Sequence, residues 1–188
     1  MTSPSSAGVL VDRDGTMIRD VGYLTHLGQL EILPGVPEAI QLLCARGLKV
    51  AVITNQSAVG RGLLKEEELR RIHRELEDRL AASGASVDGF YYCPHHPTEA
   101  RGSYRIACDC RKPNAGLAER AAAELKLDLG RSYVVGDQAT DMELAARIGA
   151  RGILIRDQQP ARAESGCLSV KSLWEAANWI VQDFAGHK

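Results

Sequence analysis

Two aspartates stand two residues apart in Val11-Asp12-Arg13-Asp14-Gly15-Thr16, directly after the apolar run Gly8-Val9-Leu10-Val11. Two more, Asp137 and Asp141, follow the apolar run Tyr133-Val134-Val135. Thr54-Asn55-Gln56-Ser57 closes a third such run, and Cys110-Arg111-Lys112-Pro113 leads into a helical stretch. Carboxylates crowded together repel, so their natural partner is a hard divalent cation with oxygen ligands. Mg²⁺ usually takes one or two protein carboxylates together with a substrate phosphate. Arg111, Lys112, the Thr54 hydroxyl and the N–H groups after it suit a phosphate dianion. The predicted chemistry is phosphoryl transfer.

A softer donor set lies in residues 93–110. Cys93-x-His95, twelve intervening residues and Cys108-x-Cys110 supply three thiols and one imidazole. Sulfur and nitrogen in a closed four-coordinate array suit structural Zn²⁺. His96 offers the same donor as His95, and chemistry alone leaves both open. A metal here would fix a long loop beside Arg111 and Lys112 rather than take part in catalysis. Cys44 and Cys167 stand apart in apolar surroundings, and an odd total of five cysteines fits metal ligands and reduced thiols better than disulfides.

The elements that must position these residues alternate in type. Buried strands are predicted at 8–11, 48–53, 90–92, 133–135 and 152–155, from short continuous apolar runs. Helices are predicted at 34–46, 65–82, 113–127, 139–148 and 172–184; in the second, Leu69, Ile72, Leu76 and Leu80 make an apolar stripe. This alternation predicts a Rossmann-like α/β fold, a parallel sheet with helices on both faces. Ligands in such sheets bind beyond the carboxyl ends of the strands, where the polar clusters fall. The expected organisation is a disordered tail at 1–7 and a single domain at 8–188. The segment between Thr16 and Pro34 is too short for a large cap domain and predicts a small loop over the crevice, with Asp20 or Tyr23 placed to meet hydroxyl groups of a substrate.

At 188 residues, 45% hydrophobic and 25% charged, the chain has the composition of one globular domain. A formal charge of -1 predicts no nucleic-acid partner. No apolar run approaches the ~20 residues that span a bilayer, and the polar N-terminus lacks a secretory pattern, which predicts a cytoplasmic protein without a membrane partner. With no convincing heptad or exposed edge strand, a monomer is expected.

Other site types fail on spacing. A calcium loop opening at Asp12 would need Gly and Glu where Met17 and Tyr23 stand. The chain contains no nucleotide P-loop, and Gly60-Arg61-Gly62 is not a dinucleotide fingerprint.

The ordered set Asp12-Arg13-Asp14-Gly15-Thr16, Thr54, Lys112 and Gly136-Asp137-x3-Asp141 resembles the four motifs of the haloacid-dehalogenase-like phosphatases. Arg13, Thr54-Asn55-Gln56-Ser57, Cys93-Pro94-His95-His96-Pro97 and Cys108 to Pro113 are similar to the heptose-bisphosphate phosphatases within that family. This similarity runs over about residues 8 to 185. The near relatives are the histidinol-phosphate phosphatases, toward which Gln138-Ala139-Thr140-Asp141 leans, since heptose enzymes often carry Lys at the Gln138 position.

The resemblance implies Asp12 as the nucleophile that forms an aspartyl-phosphate, and Asp14 as general acid and then base, with negative neighbours favouring its protonated form. It implies Mg²⁺ on Asp12, the Asp14 carbonyl and Asp137, with Asp141 behind them. Thr54 and Lys112 would hold phosphoryl oxygens and Arg111 a second phosphate. Arg13, Asn55, Gln56 and Ser57 are expected to contact a small sugar phosphate. The family pattern selects His95 over His96 as the zinc ligand. A non-catalytic phospho-acceptor module also uses Asp, Mg²⁺, Thr and Lys on an α/β sheet, but needs no equivalent of Asp14. His26, His73 and His187 receive no role.

Overall fold

The computed structural model describes residues 6–156 and 168–186, so Cys167 and His187 lie outside the described residues. Among the described residues, six parallel strands form one sheet in the order β3-β2-β1-β4-β5-β6. They are β1 (Gly8–Val11), β2 (Lys49–Asn55), β3 (Gly89–Cys93), β4 (Tyr133–Gly136), β5 (Arg151–Ile155) and β6 (Leu168–Val170). The helices are α1 (Val36–Ala45), α2 (Ser57–Gly60), α3 (Glu66–Ala82), α4 (Gly116–Leu125), α5 (Ala139–Ile148) and α6 (Leu173–Ala185).

Strand alternation sorts the core into two layers. Val9 and Val11 of β1, Val50 and Val52 of β2 and Val135 of β4 face α1, α3 and α6. Leu10, Ala51, Ile53 and Val134 point the other way, toward Leu117 and Ala121 of α4 and Leu144 of α5. A strand buried on both sides needs apolar residues at every position, which is why β1, β2 and β4 read as continuous runs. Each fully buried aliphatic side chain contributes roughly 1.5–3 kcal/mol from burial, so the sheet centre is the rigid part on which the site is built.

Helix ends are set locally. Three acidic residues, Glu66, Glu67 and Glu68, open α3, where they complement the positive end of its dipole, and the Glu68 carboxylate accepts the Lys65 N–H at 3.0 Å. At α6 the Ser172 hydroxyl accepts the Glu175 N–H.

The boundary of the expected tail needs correction. Ser6 and Ala7 fall inside the predicted disordered segment, yet Ala7 is buried and Ser6 bonds the main chain of Lys126 and Asp128. Two neighbouring segments therefore satisfy backbone groups that a free tail would leave to water. β6 and the single-turn α2 are not expected from the sequence; at 3 and 4 residues they are too short to show a period.

β1 stands in the middle of the sheet, with β2 on one side and β4 on the other. The crevice where the strand order reverses thus opens at the carboxyl ends of β1, β2 and β4. Residues 12–35 run across this end with one short helical turn at Leu27–Gln29 and no α-helix, so no large cap domain lies between β1 and α1. Among the described residues, no helix is long and apolar enough to cross a membrane.

Candidate active site

A crevice of about 210 Å³ lies at that edge, with Asp12, Asp14, Thr54, Lys112 and Asp137 in its wall. At its floor the Lys112 ammonium donates to Asp12 Oδ1 at 2.7 Å, Asp141 Oδ1 at 2.7 Å and the Ile53 carbonyl at 3.0 Å. Burial pushes the Asp12 carboxyl up to about 7, aided by the nearby Asp141 and Asp14 charges and opposed by Lys112. Burial also works against the charged Lys112, but Asp12 and Asp141 outweigh it and hold the ammonium above its ordinary value. The site therefore has more negative charge than its one lysine balances.

Asp137 makes the same point with geometry. Its Oδ2 accepts from Gln138 Nε2 at 2.8 Å, while its Oδ1 is buried with no hydrogen-bond partner among the described residues. Burial raises this carboxyl as well. Ligand oxygens of Asp12, Asp137 and Asp141 lie within 4.8 Å of one another. An orphaned buried carboxylate oxygen in an all-oxygen donor set fits a divalent cation.

Two glycines make room for this packing. Gly15 has φ +73°, and a Cβ there would collide with the Asp137 carboxylate. A Cβ on Gly136 would collide with Asp141. Asp141 is fully buried, its second oxygen accepting the Gln138 N–H at the start of α5, so the residue that orients Lys112 also caps a helix.

Around Asp14 the structure departs from expectation. Beside the charge of nearby Asp12, its hydrogen-bond partners are all donors: Arg13 Nη2 at 3.0 Å from each oxygen, Gln56 Nε2 at 2.8 Å and Thr54 Oγ1 at 3.4 Å.

The Cys/His loop closes on itself. Cys110 Sγ lies 3.1 Å from Cys93 Sγ, 3.3 Å from Cys108 Sγ and 3.2 Å from His95 Nδ1, and Cys93 Sγ is 3.5 Å from Cys108 Sγ. A tetrahedron with metal–sulfur bonds of about 2.3 Å has edges of about 3.8 Å, close to these separations. His96 faces away, its ring bonded to Thr98 and Glu99. The donor set is thus Cys93, His95, Cys108 and Cys110.

Comparison with known proteins decides the family. The chain is 36% identical over 179 residues to the D-glycero-beta-D-manno-heptose-1,7-bisphosphate 7-phosphatase of Photorhabdus laumondii, covering 94% of this chain and 90% of that one. The chain belongs to the HAD-like hydrolases. The enzyme of the same name from Escherichia coli K12 is 34% identical over 96% of this chain and 91% of its own. A HAD-hydrolase-like family model matches residues 109–183. The solved D,D-heptose 1,7-bisphosphate phosphatase of B. bronchiseptica, complexed with magnesium and phosphate, superposes with a TM-score of 0.81 at 29% identity, covering 94% of this chain and 99% of that one.

As a HAD-like hydrolase the chain is an enzyme, a phosphoric monoester hydrolase, rather than a phospho-acceptor module. Its expected substrate contacts divide into two groups. Asp20, Tyr23 and Ser57 line the crevice, with Asp20 Oδ1 accepting the Gly22 N–H. Arg13 does not: it is buried at 1% exposure, with its guanidinium turned onto protein groups. Asn55 and Gln56 line the crevice, but their amides are already engaged by Lys112, Asp14, Thr54 and Arg13. The hydrogen bonds of these three side chains run to Asp14, Thr54, Lys112 and His73 and between Arg13 and Gln56. Arg111 lies outside the crevice lining and donates to the His95 carbonyl at 3.1 Å, tying the Cys/His loop to the segment that carries Lys112.

His73 is the residue that sequence reasoning missed. It is buried on the apolar stripe of α3, 3.0 Å from Arg13 Nη1. Its position one turn beyond Leu69 and next to Ile72 was the available signal.

Proposed function

We propose that this chain removes the 7-phosphate from D-glycero-D-manno-heptose 1,7-bisphosphate through an aspartyl-phosphate on Asp12. The observation that carries the reading is the Asp12 carboxylate at the crevice floor, 2.7 Å from Lys112 and two residues before the Arg13-clamped Asp14. Relatives of that name cover nearly the whole chain and support the substrate.

Asp12 attacks phosphorus and the ester P–O bond breaks, so one hard hydrolysis becomes two easier steps. Asp14 gives its proton to the leaving sugar oxygen, then takes one from the water that cleaves the aspartyl-phosphate. Lys112 and the Thr54 hydroxyl offer donors to the phosphoryl oxygens, aimed before charge develops there. Asp12, the Asp14 carbonyl and Asp137 would hold Mg²⁺, which supplies charge neutralisation for the transferring phosphoryl group. Asp141 keeps Lys112 in place. Zn²⁺ on Cys93, His95, Cys108 and Cys110 would stiffen the loop, with all four donors supplied by protein and no open position for chemistry.

Asp20, Tyr23 and Ser57 form the rim a sugar would meet. Unpaired thiols and the absence of a membrane-length helix among the described residues suit a cytoplasmic enzyme, and we place it there as a monomer. Histidinol phosphate is the second reading, favoured by Gln138, whose amide here binds Asp137.

The test is phosphate release with Mg²⁺ from heptose 1,7-bisphosphate and histidinol phosphate at matched concentration. A preference for the heptose ester of at least ~100-fold in kcat/KM, about 2.7 kcal/mol of differential transition-state binding, is expected. The reverse preference, or slow and equal turnover of both, contradicts the substrate assignment.

A further inference from the structure

Arg13 carries a full positive charge in a position with almost no solvent, one residue from the proposed nucleophile. Its Nη2 donates to both Asp14 oxygens and to Gln56 Oε1 at 2.9 Å, and its Nε lies 3.3 Å from Asp14 Oδ1. Its other terminal nitrogen, Nη1, lies 3.0 Å from His73 Nε2. A guanidinium nitrogen only donates, so His73 must accept through Nε2, as a neutral ring with its proton on Nδ1. The ring itself is fixed: it stacks on Phe90 with centroids 4.8 Å apart and meets the edge of Tyr92 at 5.7 Å. Burial and the Arg13 charge lower its pKa to about 3, which keeps it an acceptor near neutral pH.

We infer that His73 is a positioning residue for proton transfer: it locks the Arg13 guanidinium from behind, and Arg13 in turn fixes the orientation of the Asp14 carboxyl toward the leaving oxygen. Without an acceptor at position 73 a buried N–H is left unpaired, and the guanidinium turns to find another partner. Asp14 and Gln56 then lose the fork that holds them. This rests on the phosphatase reading of the same site. The chain of contact runs from a helix on one face of the sheet, through a guanidinium, to a carboxyl in the crevice. His73 touches no substrate.

The test separates proton donation from general damage. An alkyl ester needs a proton on its leaving oxygen as the P–O bond breaks, whereas p-nitrophenolate departs without one. The rates to compare are kcat/KM for heptose 1,7-bisphosphate and for p-nitrophenyl phosphate, in wild type, His73→Phe and His73→Gln. Phe keeps the ring stack and removes the acceptor; Gln carries an acceptor on a chain of similar reach. His73→Phe should lose about 10- to 100-fold on the heptose ester and less than about 3-fold on the nitrophenyl ester, the cost of a misplaced catalytic group. His73→Gln should return the ratio of the two toward wild type.

Because both esters see the same folded fraction, partial unfolding does not alter this ratio. Equal losses on the two esters, or no loss on either, overturn the inference. If His73→Phe does not fold, Arg13→Lys decides: it keeps a charge beside Asp14 but cannot bridge Asp14, Gln56 and His73, so it should show the same selective loss. A wild-type ratio in that variant overturns the inference. Wild-type protein inert toward both esters would instead overturn the phosphatase reading itself.

Discussion

The Asn55 side chain grips Lys112 by its main chain: Nδ2 donates to the Lys112 carbonyl at 3.1 Å, and Oδ1 accepts the Lys112 N–H at 3.0 Å. The last residue of β2 thereby sets the backbone position of a lysine that arrives from a separate loop. The ammonium then has only its own side-chain torsions left to settle, and Asp12, Asp141 and the Ile53 carbonyl settle them.

Asn55→Ala leaves two partly buried backbone groups without partners, at a cost of about 1–3 kcal/mol. Thermal unfolding should show that loss, and kcat/KM should fall about 10-fold as Lys112 drifts from the phosphoryl site. Unchanged stability and unchanged turnover would mean that Lys112 is positioned without Asn55.

Gly15→Ala tests the cation site. Alanine is strained at φ +73°, and its methyl group displaces the Asp137 carboxylate. The Mg²⁺ concentration for half-maximal activity should rise by about 10-fold or more, the scale on which metal affinity falls when a group supporting a ligand is altered. An unchanged Mg²⁺ requirement would remove Asp137 from the ligand set.

Much of this organisation is legible in the sequence. β1, β2 and β4 announce themselves because a doubly covered strand must be apolar throughout, and the polar residues just after them have to share one edge. Residue type also marks Asp12, Lys112, Asp137 and the three cysteine donors, while His95 is set apart from His96 only by the family pattern. Direction is not legible. Arg13, Asn55 and Gln56 have the chemistry of substrate contacts, and spacing cannot say whether a polar group faces the crevice or a neighbour. His73 escapes notice because its partner Arg13 is sixty residues away along the chain, and only the tertiary fold joins them.

Protein purified without chelator should contain one zinc per chain. Removing it should lower the unfolding temperature by several degrees and raise KM more than it lowers kcat, because the loop it ties reaches Arg111 and Lys112 through the His95 carbonyl. Metal analysis with parallel calorimetry and kinetics checks this. A zinc-free protein with full stability would contradict the structural role.

The depressed His73 predicts a pH effect on stability. As pH falls from about 6.5, the unfolded chain takes up a proton at residue 73 that the folded protein refuses until about pH 3. His73 therefore supports the fold fully above about pH 6.5 and loses stability progressively between there and pH 3, by up to about 1.4 kcal/mol per pH unit. Urea unfolding of wild type and His73→Gln across this range should give a steeper acid loss for wild type. Parallel curves would show that the imidazole is not held neutral.

The central claim is that Asp12 accepts the phosphoryl group, and rapid acid quench during turnover tests it most directly. Peptide mass mapping should find a phosphoryl group on Asp12 in wild type, none in Asp12→Asn, and no phosphate release by that variant although it folds. Wild-type turnover by Asp12→Asn, or a phosphoryl group trapped on another residue, would contradict the account.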